Sequence, residues 1–138
     1  MSNLKDHLLS SAESRVLAQI YENSNYLEIN NSRPAGKPDS RMYSMDLALL
    51  KEYLSMIEEE MRKKGIDQMG VKITLGKYPE KSDNPKIKKE YLGYQTLFIS
   101  ALDLGEPSAK NLLLDQQGES VNSTEDIPDF NYMSLTPP

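Results

Sequence analysis

The sequence predicts an α+β fold: a small, mainly antiparallel sheet covered by one long amphipathic helix, with an N-terminal helix and an irregular C-terminal tail. Three observations support this prediction. Apolar residues recur at helical spacing between about residues 45 and 64, two later segments have the pattern of strands, and the segments around them are rich in Asn, Ser and Pro. A chain of 138 residues with this composition is typical of one domain that buries its own core.

The first predicted element is a helix from about residue 4 to residue 21. Its apolar residues follow the helical period, and Asn3 supplies a cap with Asp6 three positions later. We expect this helix either to complete the layer on the sheet or to mediate assembly. Residues 23–42 are dominated by Asn, Ser, Pro and Gly, so they are predicted to form a loop with a short extended piece at residues 26–29.

The longest predicted helix spans residues 45–64. Ser44 is its predicted N-cap, and Gly65 is its predicted C-cap after three bases in the last turn. The run of three acids at residues 58–60 beside these bases is typical of a solvated helix end. The apolar stripe of this helix consists of Tyr43, Leu47, Leu50, Leu54, Ile57 and Met61.

Two strands are predicted after the long helix. Residues 71–78 alternate apolar and polar side chains, which predicts that Val71, Ile73 and Leu75 face the core. Residues 94–102 are apolar on both faces, which places that strand nearer the centre of the sheet. A two-stranded ribbon is marginal alone, so a third strand is expected from residues 26–29, from residues 112–114 or from another subunit.

One domain is predicted over residues 1–115, and residues 116–138 form a tail. The net charge of −5 lies entirely in the segment from Asn111 onward, which has five acids and no base. Apolar residues punctuate this acidic, proline-ended tail, so we expect it to dock on the domain or on a partner. Nucleic acid is an unfavourable partner because phosphate binding needs a basic footprint.

The composition argues against several kinds of chemistry. The sequence has no cysteine, which removes disulfides, thiol nucleophiles and thiolate zinc sites. His7 is the single histidine, and no G-x-S-x-G, EF-hand, P-loop or G-x-G-x-x-G pattern occurs. No window approaches the roughly 18 apolar residues of a membrane span, and residues 1–15 lack the pattern of a signal peptide. We therefore expect no cofactor, no metal and no membrane partner, and a cytoplasmic location.

Lysines and aromatic residues are the candidate interaction residues. Residues 72–89 hold six lysines and two acids, with most of the lysines in the 79–93 loop, and the chain has eight tyrosines but no tryptophan. Two interpretations of the lysine-rich loop remain open: an electrostatic patch for an acidic partner or for the tail, and a loop that its lysines keep in solvent. The candidate residues are Lys77, Tyr78, Lys86, Lys88, Lys89, Phe130 and Tyr132.

Four stretches resemble small uncharacterised proteins common in Bacteroidota. They are YSMDLALLKEYL from Tyr43, GVKITLGKYP from Gly70, QTLFISALD ending at Asp103, and FNYMSLTPP over residues 130–138. In that group a Tyr-Ser start leads into a helix, an alternating strand, a second strand that closes on an Asp, and a Pro-Pro end. The resemblance implies a bacterial cytoplasmic protein with an α+β fold, and it implies no activity, cofactor or site residue.

Two functions from different classes follow. The favoured one is a non-enzymatic protein-interaction or assembly module that binds a protein partner or a second copy of itself, because catalytic signatures are missing and tyrosines are abundant. The alternative is a small enzyme or ligand-binding protein with a pocket between the sheet and the 45–64 helix. His7, Lys77 and Tyr78 are the polar candidates for that pocket.

Overall fold

The computed structural model describes residues 3–105 and 124–138. Within them, helices combine with small antiparallel sheets, which confirms the α+β prediction. Two 3-10 turns, Leu4–His7 and Lys89–Tyr91, accompany the regular elements. In chain order these elements are α1 (Ser11–Glu22), α2 (Asn25–Asn31), β1 (Met42–Ser44), α3 (Leu47–Lys63), β2 (Met69–Lys77), β3 (Gln95–Asp103) and β4 (Ser134–Thr136).

The N-terminal helical region is divided and longer than the sequence predicts. Asn3 caps only a short turn, and α1 begins after Ser10, whose hydroxyl and backbone form a capping box with Glu13. The hydrogen bond from the Ser10 backbone N–H lowers the pKa of the Glu13 carboxyl. Residues 26–29 lie in α2, so the predicted loop with an extended piece there is wrong. We call residues 4–31 the N-terminal arm; because it holds more helical residues than α3, the description by one long helix is incomplete.

Helix α3 packs on the sheet with one face. It begins at Leu47 because Asp46, not Ser44, is the cap: the Leu49 N–H donates to Asp46 Oδ2 at 2.9 Å. After the helix ends, Gly65 adopts a φ of 75°, the left-handed conformation that a glycine C-cap supplies. The buried residues of α3 are Tyr53, Ile57 and Met61.

Strands β2 and β3 form a regular antiparallel ladder. The register is continuous, from Met69 opposite Asp103 to Lys77 opposite Gln95. On its other edge, β3 makes an isolated bridge from Ile99 to Phe130, so β3 lies inside and β2 lies at the edge. Strands β1 and β4 form a second antiparallel pair. Residues 112–114, a predicted source of a third strand, lie outside the described residues.

Two apolar clusters hold these elements together, and both contain residues beyond position 124. The larger cluster lies between α3 and β3, and the smaller one lies under the loop that joins β2 to β3. The larger contains Tyr53, Ile57, Met61, Ile66, Ile99, Ala101, Ile127 and Met133. The smaller contains Tyr78, Tyr91, Tyr94 and Leu135.

The prediction that Val71, Ile73 and Leu75 are core residues is wrong. Their side chains are 47%, 64% and 65% exposed. The alternation does place them on the face that carries Ala101 and Ile99 of β3, because directly opposite residues share a face. The side chains of α3 bury that face over β3 and at Met69, the first residue of β2, but leave the following apolar residues of β2 exposed. We call Val71, Ile73 and Leu75 the edge strip.

Candidate functional site

A charged cleft lies where the segment after α2 meets the β2–β3 loop. It encloses about 710 Å³. Its lining holds four basic and three acidic side chains, so the cleft does not concentrate charge of one sign. The cationic residues are Arg33, Lys37, Lys77 and Lys89, and the acidic ones are Asp39, Glu80 and Glu90.

Arg33 fixes one wall of this cleft. Its Nη1 donates to the Gly93 carbonyl oxygen at 2.6 Å, and its Nε donates to the Lys37 carbonyl oxygen at 3.1 Å. The guanidinium carbon also lies 4.2 Å from the centre of the Tyr94 ring, within the range of a cation–π contact. Two of its five N–H donors bond to backbone carbonyl oxygens in this way, so Arg33 joins the segment after α2 to the β2–β3 loop.

The lysines predicted as one patch are dispersed. Lys77 pairs with Glu80 at 3.2 Å. The Lys86 ammonium lies 5.6 Å from the Tyr132 ring, and the Lys88 ammonium lies 5.4 Å from the buried ring of Tyr91. Of the selected lysines, only Lys77 and Lys89 line the charged cleft. The structure thus brings Lys86 together with Tyr132, but it does not gather the selected lysines in one place.

Tyr78 and Phe130, two of the selected aromatic residues, contact other residues of the chain. Tyr78 is 6% exposed, and its hydroxyl donates to Asn131 Oδ1 at 2.6 Å. The half-buried Phe130 stacks at a tilt on Tyr53, with 5.1 Å between the ring centres. Tyr132 differs from both, because it is 50% exposed and its backbone has a φ of 60°. Of these three aromatic residues, Tyr132 is therefore the most exposed.

A second cleft of about 370 Å³ lies between α3 and β2, where the sequence analysis places a pocket for an enzyme. His7, Lys77 and Tyr78 do not line it, and His7 is exposed on the first turn of the arm. The cleft therefore lacks convergent polar groups of the kind that orient a substrate. Its lining is mainly apolar and consists of Leu54, Ser55, Ile57, Glu58, Met61, Met69, Gly70 and Val71.

The N-terminal arm is attached to the rest of the fold by polar contacts. The Tyr26 hydroxyl donates to the Asp39 carbonyl oxygen at 2.8 Å, and the Asp39 N–H donates to Asn30 Oδ1 at 2.8 Å. Arg41 pairs with Glu22 at 3.1 Å at the end of α1. The two buried apolar clusters contain no residue of the arm.

Most aliphatic side chains of the arm face solvent, and Ile29, which lines the charged cleft, is half-buried. Val16, Leu17 and Ile20 of α1 are 53%, 56% and 59% exposed, and Leu27 of α2 is 56% exposed. Leu4, Leu8 and Leu9 ahead of α1 are exposed as well. The sequence pattern places Leu4 to Ile20 on one predicted helix and assigns Leu27 to a short extended piece. Neither prediction reveals that the described part of the chain leaves these side chains exposed.

The edge strip is the second exposed apolar surface. Sequence reasoning missed it, because alternation indicates which side chains share a face and not whether another element covers that face. The sequence did contain one indication of this exposed surface: only one long helix was predicted to cover two strands.

No helix in the described ranges, 3–105 and 124–138, has the length and apolar character needed to cross a membrane. The chain matches no protein family, no curated protein and no solved structure.

Proposed function

We propose that this chain is a non-enzymatic protein-interaction or assembly module and that the N-terminal arm is its contact element. A single observation carries the proposal: the arm is folded and held in place, yet seven of its aliphatic side chains are more than half exposed, namely Leu4, Leu8, Leu9, Val16, Leu17, Ile20 and Leu27. Contiguous exposed apolar surface is costly in water and marks sites that a partner covers. The bacterial, cytoplasmic setting implied by the resemblance belongs to the same proposal.

The geometry of α1 suits recognition of a helix in a groove. Val16 and Ile20 lie one turn apart on one side of the helix, with Leu17 beside them, which is the spacing of anchor residues in that mode. Ser10 and Glu13 cap the helix, and Glu22 pairs with Arg41, so α1 is ordered before any partner arrives. Such preorganisation lowers the entropy lost on binding.

A matched pair of double variants tests the proposal. Val16→Asp with Ile20→Asp places two charges on the apolar side of α1. Ser14→Asp with Ala18→Asp has the same spacing but lies about 160° around the helix, by 100° per residue. All four positions are exposed, so both variants are expected to fold, which circular dichroism and thermal unfolding check.

The readouts are light scattering of the purified full chain and quantitative pull-down from lysate of the native host. We expect proteins to be recovered from lysate with the wild type and with Ser14→Asp/Ala18→Asp, and a loss of at least tenfold in that recovery with Val16→Asp/Ile20→Asp. A wild-type chain that stays monomeric and recovers nothing beyond what Val16→Asp/Ile20→Asp recovers would contradict the proposal.

A separate variant tests the lysine-rich loop. Lys86→Glu with Lys88→Glu and Lys89→Glu reverses three charges without touching the arm. Unchanged self-association and partner recovery would leave the solvated-loop interpretation, whereas a loss that high salt reproduces in the wild type would favour an acidic partner.

A further inference from the structure

The outer edge of β2 presents backbone groups that no strand within residues 3–105 and 124–138 pairs. Ile99 exchanges both of its backbone hydrogen bonds with Phe130, each at 2.9 Å, so the Ile99 peptide groups point away from β2. In an antiparallel ladder, two directly opposite residues either bond to each other or both direct their N–H and C=O groups away from each other. Ile73 lies opposite Ile99, so Ile73 directs its N–H and C=O groups away from β3. The bonds from Tyr78 to Tyr94 and from Leu104 to Gln68, both at 2.9 Å, fit the same alternation.

Five residues of β2 therefore direct their N–H and C=O groups to the outer edge, namely Met69, Val71, Ile73, Leu75 and Lys77. Among the described residues, no strand pairs with this edge. The three central members are also the edge strip, so unpaired backbone and exposed apolar side chains belong to the same residues. Natural sheets protect a long edge with charged side chains, a proline, a bulge or a covering element. The nine residues of β2 form a continuous ladder without a proline, and its lysines, Lys72 and Lys77, lie outside the edge strip.

We propose that β2 pairs antiparallel with β2 of a second copy of this chain, with Ile73 opposite its counterpart on the two-fold axis. The pairing joins two ribbons into one four-stranded sheet and makes one apolar surface from the two edge strips. The inference rests on the proposed function, since it names a second copy as the partner, but its evidence is in β2 and not in the arm.

The sequence of β2 favours this register over its neighbours. Centred on Ile73, all nine residues pair, and Val71 faces Leu75 of the other copy while Lys72 faces Thr74. Centred on Lys72, the register would place two lysines directly opposite each other, which is destabilising. Centred on Thr74, it would leave Met69 and Gly70 unpaired and would set Val71 against Lys77.

Complementary charges at the two-fold axis provide the test. Ile73 of one copy lies directly opposite Ile73 of the other in the proposed pairing. Ile73→Asp therefore places two carboxylates opposite each other, and Ile73→Lys places two ammonium groups opposite each other. We expect the wild type to reach twice the 15.6 kDa chain mass in light scattering at high concentration, and each variant alone to remain at that chain mass. An equimolar mixture of the two variants should recover the doubled mass, since an Asp then faces a Lys.

Oxidative crosslinking gives a second measurement, because the chain has no cysteine of its own. In the proposed pairing, the Cα atoms of the two Ile73 residues lie about 5.5 Å apart. A disulfide spans that distance. We expect Ile73→Cys to form a covalent dimer, and Lys51→Cys, exposed on α3, to stay monomeric under the same conditions.

Several outcomes would overturn the inference. It fails if the wild type is monomeric at every concentration, if Ile73→Asp and Ile73→Lys keep the doubled mass, or if their mixture does not restore it. If Val16→Asp/Ile20→Asp abolishes association while the Ile73 variants do not, the pairing of β2 is wrong and the proposed function stands. If the Ile73 variants unfold a monomeric chain at lower temperature, β2 is covered within the chain and the inference is again wrong.

Discussion

At the scale of single residues, Tyr53 joins α3, β3 and the C-terminal segment. Its hydroxyl lies 3.0 Å from the Ile99 carbonyl oxygen and 2.9 Å from the Pro128 carbonyl oxygen, and the residue is 8% exposed. Tyr53→Phe removes the donor and leaves these acceptors without it, so we expect the free energy of unfolding to fall by about 1–2 kcal/mol. Urea denaturation at neutral pH measures the loss, and an unchanged midpoint would contradict the bridging role.

The same hydroxyl predicts an alkaline limit of stability. Burial, and then the charge of Asp129, raises the pKa of Tyr53 from 10.0 to about 12. Between about pH 10 and about pH 12 the unfolded chain loses a proton that the folded chain retains, so this group's contribution is complete below the window and declines through it. We expect the stability difference between wild type and Tyr53→Phe to narrow from about pH 9 to about pH 11 in paired urea titrations. A constant difference would contradict the raised pKa.

Asp39 predicts a second residue-scale effect, because its buried carboxylate accepts hydrogen bonds from the backbone. Asp39 Oδ1 receives the N–H of Ser40 at 2.9 Å and that of Gln95 at 2.7 Å, and the residue is 7% exposed. Asp39→Ala leaves two buried donors without an acceptor, at a cost of about 2–4 kcal/mol. Asp39→Asn retains an acceptor oxygen, so chemical denaturation should show a clearly smaller loss. Equal losses would place the effect in the charge of Asp39 and not in its acceptor role.

At the scale of elements, the two ends of the chain differ in what they contribute to the core. Removing residues 1–22 deletes no member of the buried clusters, whereas ending the chain at residue 123 deletes Ile127, Met133 and Leu135. We expect the first truncation to change the free energy of unfolding by about 1 kcal/mol or less, since exposed residues contribute little. The second removes three buried apolar side chains worth roughly 2–5 kcal/mol each, so we expect it to abolish cooperative unfolding. Calorimetry of both truncated chains measures these effects. A cooperative unfolding transition in the second would contradict the role of the C-terminal residues in the buried clusters.

The elements also show where sequence patterns are sufficient. The stripe of α3 and the alternation of β2 are long and periodic, so their type and approximate bounds were predictable. Helix α2 was missed because NYLEINN is short and rich in Asn, and Tyr26 and Asn30 hold it through distant contacts with Asp39. The three residues of β4 are too few for a periodic signal, and their pairing with β1 depends on the whole fold.

At the scale of the whole molecule, the position of α3 on the sheet leaves part of β2 exposed. Two strands span about 10 Å and a helix with its side chains is about 10–12 Å wide, so one helix covers both strands only if it lies between them. The buried residues of α3 pack instead with Ile99 and Ala101 of β3. The sequence predicted the apolar face of β2 but assigned it to the core, because a local period contains no information about what covers a face. For the same reason the surfaces proposed for binding had to come from the structure, while most of the residues selected from the sequence contact partners within the chain.

Association through β2 would also couple stability to concentration. A partner that binds only the folded state stabilises it by mass action, so the melting temperature of the wild type should rise by roughly 2–3 °C for each tenfold increase in chain concentration. Ile73→Asp should melt at a temperature independent of concentration and equal to the low-concentration limit of the wild type, because the substituted side chain is exposed in the single chain. Leu47→Asp, at an exposed apolar position outside β2, is the matched control and should keep the concentration dependence. A wild-type melting temperature that is flat from micromolar to millimolar chain would exclude stabilisation through this edge, whereas a slope that persists in Ile73→Asp would place the stabilising contact on another surface.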